Sequence, residues 1–181
     1  MRIIGGTCKG RNLQPPKGLP VRPTTDFAKE ALFNILNNQM DLEEMKVLDL
    51  FAGTGNMSLE FASRGAQVTA VDANGKCCAW MKTAATQLHL PVQVHKADVF
   101  HFLNHVSQPY DLIFADPPYD LPNLVQLPEF IFGKGWLSQE GMLILEHGKQ
   151  TQTEGLLHFS RERKYGNVHF SFFSKETSSE N

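Results

Sequence analysis

The chain has 181 residues, 41% of them hydrophobic and 20% charged, with a formal net charge of -2 at pH 7. That length suits one well-buried domain, and the composition excludes a disordered chain, a coiled coil or a generally basic nucleic-acid binder. Three cysteines (Cys8, Cys77 and Cys78) make no disulfide framework, no apolar run reaches the roughly 18 residues of a membrane span, and the polar start lacks a secretory core. A reducing, cytoplasmic setting with no membrane partner is therefore the expectation.

Residues 1–25, "MRIIGGTCKGRNLQPPKGLPVRPTT", are short apolar pieces cut by glycines and prolines. They predict an arm of loops with at most one small hairpin, ordered by docking on the body or on a ligand. Arg2, Lys9, Arg11, Lys17, Arg22 and Lys29 meet only Asp26 before Glu30, so this end is locally basic. A solvated surface and a phosphate contact are both open readings of such a run.

"DFAKEALFNILNN" predicts a helix capped by Asp26, with an apolar stripe of Phe27, Ala31 and Ile35 flanked by Ala28, Leu32 and Leu36. "KVLDLF" reads as a strand buried on both faces, and "AGTG" turns it into a helix over Asn56 to Arg64 that Gly65 stops. "AQVTAVD" is a second strand. The helix "NGKCCAWMKTAATQLHL" turns Cys78, Met81, Ala85 and Leu88 inward and leaves Cys77 on its surface.

"VQVHK" follows as a strand, "DVFHFLNHV" as a short helix, "YDLIFA" as a fourth strand, and "EGMLILEH" as a fifth after a partly helical stretch around Pro128. This alternation is the pattern of a parallel sheet with helices on both faces, whose ligands lie at the carboxyl ends of the strands. "TEGLLHFSRERKYGNVHFSFF" offers two extended runs around Tyr165-Gly166-Asn167, an antiparallel hairpin on the sheet edge. The organisation expected is an arm at 1–25, a body at 26–173 and a polar tail at 174–181.

Four strand exits carry chemistry. After the first, Gly53 and Gly55 let the backbone approach a ligand, but the Lys-Ser/Thr of a phosphate loop is missing and Ser58 stands where a dinucleotide fold has its third glycine. Asp49 puts a carboxylate beside the turn, which repels a pyrophosphate and suits an ammonium. Asp72, at the end of the second strand, is placed for ribose hydroxyls, and Asp98, after the third, for an adenine amine. A helix cap or solvated loop remains the alternative for both. Ammonium, ribose and adenine without phosphate describe S-adenosylmethionine.

The fourth strand runs directly into Asp116-Pro117-Pro118-Tyr119. Prolines give no N–H to a ladder, so their carbonyls can face a ligand from a stiff backbone. The Asp116 carboxylate and the Pro117 carbonyl can accept both hydrogens of an exocyclic amine, while Tyr119 stacks on the base. This corner serves any planar nitrogen: adenine N6, a glutamine amide or a guanine amine. A rigid turn with a surface tyrosine is the bland alternative.

"DLFAGTGNMSLEFASRGA" and "DPPY" resemble the signatures of Rossmann-like, class I S-adenosylmethionine-dependent methyltransferases that modify amino groups. With "MRIIGGTCKGRNLQPPKGLPVRPTTDFAKEALFNIL" and "RKYGNVHFSFF", the chain from Met1 to about Phe173 resembles the bacterial RsmD family of 16S rRNA guanine-N2 methyltransferases. The resemblance implies a mostly parallel seven-stranded α/β sheet with a C-terminal antiparallel hairpin, and a methyltransferase domain over 26–173. It implies methyl transfer to the N2 amine of one guanine in 16S rRNA within the small ribosomal subunit.

Asp49, Phe51, Gly53, Gly55, Asp72 and Asp98 would surround the cofactor, with Asp116, Pro117 and Tyr119 as catalytic residues. Pro118, Tyr119, Thr24, Arg22 and the basic Arg2, Lys9 and Arg11 would meet RNA. Asp72 departs from the glutamate more usual there, and Phe27 from a basic residue. Among the histidines, His101 and His105 share a helix spacing but no Glu or Cys completes a set, so no metal is expected. An RNA-binding protein that kept the fold without turnover is the rival from another class.

Overall fold

A computed structural model describes residues 1–19, 24–105 and 108–175. Arg22, most of the tail and two residues after His105 lie outside the described residues. One seven-stranded sheet organises the chain in the order β3-β2-β1-β4-β5-β7-β6. Its strands are β1 (Lys46–Leu50), β2 (Gln67–Asp72), β3 (Val92–Lys96), β4 (Tyr110–Ala115), β5 (Leu137–Gly148), β6 (Phe159–Tyr165) and β7 (Val168–Ser174).

The first five strands pair in parallel, and β7 is antiparallel to both β5 and β6. This is the mostly parallel sheet with a terminal hairpin that the sequence predicts. β7, not β6, pairs with β5, so the second strand of the hairpin folds back between them. Among the described residues no helix is long and apolar enough to cross a membrane.

Side chains alternate across each central strand, and the alternation divides the core in two. Leu48, Leu50, Ile113, Ala115, Leu143 and Leu145 enter one cluster, with Trp136 and helices α4 (Val99–Leu103) and α5 (Leu127–Gly133). Val47, Leu112, Phe114 and Ile144 enter the other, with helices α1 (Asp26–Asn37) and α2 (Asn56–Ser63). Burial on both faces explains the near-continuous apolar runs of β1 and β4. Helix α3 (Gly75–Gln87) covers β2 and β3 through Cys78 and Met81.

The first helix differs from its sequence pattern. Thr25, not Asp26, is its N-cap, accepting from the Ala28 N–H at 3.2 Å, and Asp26 sits in the first turn. Phe27 is 70% exposed, while Ala28, Lys29, Leu32, Phe33 and Leu36 face inward. The buried face is rotated about one residue because Lys29 is drawn into a polar cluster. Its ammonium contacts the Arg2 carbonyl at 2.5 Å, Asn56 Oδ1 at 2.9 Å and Glu60 Oε2 at 3.5 Å. Cys77 is likewise fully buried rather than on a helix surface.

The amino-terminal arm docks on the body. Arg2 bridges Asn12, and Ile3, 1% exposed, packs on Leu59 of α2 and on Ala84 and Ala85 of α3. Ile4 N–H donates to Glu60 at 2.8 Å, Cys8 N–H to the Ser63 hydroxyl at 2.9 Å, and that hydroxyl to the Gly5 carbonyl at 2.6 Å. Glycine is required at Gly6, where φ is +70° and a Cβ would lie 1.7 Å from the Ser63 carbonyl oxygen.

Candidate active site

The exit of β1 is a tight, left-handed path. Phe51, Gly53 and Gly55 all have positive φ (61°, 55° and 78°), and Gly55 is the N-cap residue of α2. A Cβ on Gly55 would sit 2.6 Å from Met81 Cγ, so both sterics and φ demand glycine. The Asp72 carboxylate at the end of β2 holds the turn, accepting from Gly53 N–H at 2.8 Å and from Asn74 N–H at 2.7 Å. Inside the turn, Asp49 is 1% exposed and accepts a 2.5 Å hydrogen bond from Ser58 of α2. The residue in place of a third glycine thus clamps the carboxylate.

The exit of β4 lies alongside. Asp116 N–H donates to the Leu50 carbonyl at 3.3 Å, tying the Asp-Pro-Pro-Tyr corner to the end of β1. The Pro118 carbonyl accepts from Leu121 N–H at 2.9 Å and closes the turn. Tyr119, 48% exposed, hydrogen-bonds through its side chain to Glu146, and its ring lies against Gly148. Glu146 is 3% exposed at the end of β5 and accepts from the Thr24 hydroxyl at 2.9 Å.

Asp49, Asp116 and Glu146 therefore share one crevice. Burial pushes Asp49 up to about 7 despite the Ser58 bond, with Asp72 adding repulsion. Burial likewise raises Glu146 to about 7, opposed by the Thr24 and Tyr119 hydrogen bonds. Asp116 is raised well above the ordinary carboxylate range, by burial first and then by Glu146 and Asp49. Among the described residues no Lys, Arg or His ion-pairs with any of the three. A crevice of this kind suits a cationic ligand and repels a phosphate.

The family model described as "Conserved hypothetical protein 95" matches residues 1–174. A Bacillus subtilis protein named "Putative rRNA methyltransferase YlbH" is 33% identical over 97% of this chain and 99% of its own length. The Escherichia coli "Ribosomal RNA small subunit methyltransferase D" is 31% identical over 99% of this chain and 92% of its own length. The chain belongs to the RsmD family of rRNA methyltransferases. The solved structure titled "Putative methyltransferase yhhF from Escherichia coli" superposes on it with a TM-score of 0.84 at 29% identity, covering 98% of this chain and 99% of that one.

Within this RsmD-family fold most of the residues singled out from sequence fall into two groups, and Asp98, Arg2, Lys9 and Arg11 into neither. Asp49, Phe51, Gly53, Gly55 and Asp72 meet in the first turn. Asp116, Pro117, Pro118, Tyr119 and Thr24 meet at the second, the last through Glu146. Asp98 is an exposed helix cap, accepting from His101 N–H at 2.9 Å. Arg2 pairs with Asp26 at 3.5 Å, and Lys9 and Arg11 are exposed on the arm ladder lying on α2 and α3.

Sequence reasoning missed Glu146, Gly148 and Asn56, and read Lys29 as part of the basic run when it is fully buried. A carboxylate inside the apolar run "LILEHG", at the carboxyl end of a strand, was the available signal for Glu146. Asn56 joins the two turns: its amide donates to the Thr24 carbonyl at 3.1 Å and its oxygen accepts from Lys29 at 2.9 Å.

Proposed function

We propose that this enzyme transfers a methyl group from S-adenosylmethionine to the exocyclic N2 amine of a guanine in 16S rRNA of the small ribosomal subunit. The observation that carries the reading is the placement of the Asp116–Tyr119 corner beside the β1 turn, where buried Asp49 and Glu146 and the half-buried Asp116 lack a cationic partner among the described residues. The name of the Escherichia coli relative supports the rRNA substrate.

The residues present fit the cofactor. Asp49, Asp116 and Glu146 supply the negative charge that a ligand with an ammonium and a sulfonium requires. Asp72 keeps lone pairs for ribose hydroxyls beyond those its backbone donors use, and Asp98 retains an oxygen for an adenine amine. Phe51 and the glycines shape the floor. When bound, the cofactor supplies an electrophilic methyl group.

The chain's own residues act on the amine. A guanine N2 is a weak nucleophile because its lone pair is delocalised into the ring. Asp116 and the Pro117 carbonyl accept its two N–H groups and turn the nitrogen towards the methyl carbon. Positive charge developing on that nitrogen during methylation would be stabilised by Asp116, which would receive the departing proton. The cationic cofactor, when bound, would favour the ionised carboxylate that this role needs. Tyr119 stacks on the base, and Pro118 stiffens the wall beside it. Arg2, Lys9, Arg11 and Arg22 contribute salt-dependent attraction to phosphates.

Purified enzyme, labelled S-adenosylmethionine and small subunits from cells lacking the endogenous activity provide the test. The expected product is N2-methylguanosine at one site, with Asp116→Asn about a hundredfold slower or more while still folded and cofactor-bound. N6-methyladenosine as product would assign the corner to another base. A full rate in Asp116→Asn would remove the mechanism.

A further inference from the structure

Directly after Glu146, β5 presents His147, and the hairpin brings two further groups to it. Glu162 comes from β6 and His169 from β7, so three neighbouring strands contribute one side chain each. His147 Nε2 lies 3.6 Å from Glu162 Oε1, His169 Nδ1 lies 3.2 Å from the same oxygen, and all three donor atoms fall within 4.8 Å of one another. Ligand atoms bonded to a tetrahedral zinc at about 2.0–2.1 Å are roughly 3.3 Å apart. Two of the spacings are already close to that value.

The donors are oriented for a cation. The neighbouring Gly148 carbonyl, 3.0 Å from His147 Nδ1, can only accept, so Nδ1 carries the proton and Nε2 keeps its lone pair. Lys164 holds Glu162 Oε2 at 2.9 Å, which leaves Oε1 turned towards the imidazoles. Ser171 Oγ lies 2.7 Å from His147 Nε2, and Thr153 Oγ1 lies 2.6 Å from that hydroxyl. His147 is fully buried and His169 is 7% exposed. The cluster borders a cavity of about 410 Å³ whose lining includes Thr151, Thr153, Glu162 and His169 together with Lys149 and Lys164.

We propose that His147, Glu162 and His169 form a three-ligand site for a zinc-class divalent transition ion, with water from the cavity as fourth ligand. Two imidazoles and one carboxylate select zinc, cobalt or nickel over magnesium or calcium, which favour all-oxygen shells. The ion cross-links β5, β6 and β7 immediately behind the strand end that carries Glu146 and Gly148. Its role is to hold that edge of the sheet, and the methyl-transfer reading does not depend on it. No short spacing joins the three residues, which explains why the sequence read as free of metal.

The test uses full-length protein treated with chelator, then titrated with Co²⁺ by visible absorption and with Zn²⁺ by calorimetry. One equivalent should bind with a Kd of roughly 10 µM or tighter, with the intense visible bands of low-coordinate cobalt. Glu162→Gln and His169→Ala should each weaken binding about tenfold or more. Zinc should raise the melting temperature of the parent chain and not that of the variants. The exposed pair His101 and His105 is the control: replacing both with alanine should leave the stoichiometric site intact. Glu162→Gln retains both imidazoles and decides the matter where His169→Ala does not fold. Binding weaker than about 100 µM, binding unchanged in Glu162→Gln, or binding lost with His101 and His105 would each overturn the site.

Discussion

Thr24 donates a 2.9 Å hydrogen bond to Glu146, 122 residues further along the chain, and both side chains are buried. The bond ties Thr24 to the strand end that neighbours Asp116 and Tyr119. Thr24→Val keeps the shape and deletes the donor, leaving the buried Glu146 with fewer hydrogen bonds. The expected cost is about 1–3 kcal/mol in urea unfolding, together with slower methyl transfer. Thr24→Ser should recover most of both. If the valine variant unfolded at the parental midpoint, the bond would have no energetic role.

The crevice carboxylates make stability depend on pH in a defined direction. Asp49 moves from an ordinary 3.8 to about 7 in the folded protein, so between those values the folded chain keeps a proton that the unfolded chain has released. Its stabilising contribution is complete below about pH 4 and lost as pH rises through about 7. Asp116 and Glu146 shift the same way. Unfolding of the ligand-free protein by urea should therefore show a midpoint that falls from pH 5 to pH 8, and Asp49→Asn should flatten the slope. A cationic cofactor favours the ionised forms, so its binding near pH 6 should release protons. Calorimetry in buffers of different ionisation enthalpy measures that release, and its absence would count against a cation in this crevice.

Lys29 is the pivot between arm and body. Fully buried, it has its pKa lowered by desolvation, against the opposing pull of Glu60 and Asp26. Lys29→Met would free the Arg2 carbonyl and Asn56 Oδ1 and leave Glu60 buried with Arg64, at 2.9 Å, as its remaining cation. Breaking a buried pair from one side costs on the order of 3 kcal/mol. Amide exchange at Ile3 and Ile4 should accelerate more than exchange in β4. Uniform acceleration would mean that Lys29 supports the whole core and not the arm.

β1, β2 and β4 were legible because each is a short, mostly buried apolar run, and the hairpin because Gly166 and Asn167 interrupt two extended runs; β3 alternates apolar and polar residues, and β5 begins at Leu137, before the apolar run that marked it. The Asp116–Tyr119 corner was legible for the same local reason. What sequence could not give was the partner of a buried charge. Periodicity in α1 pointed at Phe27, Ala31 and Ile35, yet Lys29 faces inward because Glu60, 31 positions later, awaits it. Glu146 and the trio of His147, Glu162 and His169 likewise depend on which strands become neighbours. Local patterns report which residues prefer burial, and only the strand order reports which polar groups meet.

Gly148 isolates the role of Tyr119. An alanine Cβ there would lie 2.9 Å from Tyr119 Cδ2 and 3.2 Å from Cε2, with no positive φ to forbid the residue itself. The backbone of β5 accepts alanine, and the tyrosine ring must move by a few tenths of an ångström or more. That shift disturbs the hydrogen bond between Tyr119 and Glu146 and tilts the surface proposed for the guanine. Gly148→Ala should change unfolding stability by less than about 1 kcal/mol, yet lower kcat for methyl transfer about tenfold with little change in cofactor affinity. Tyr119→Phe, which keeps the ring and loses the hydroxyl, separates stacking from the bond to Glu146. A parental rate in Gly148→Ala would show that the ring's position is not what orients the base.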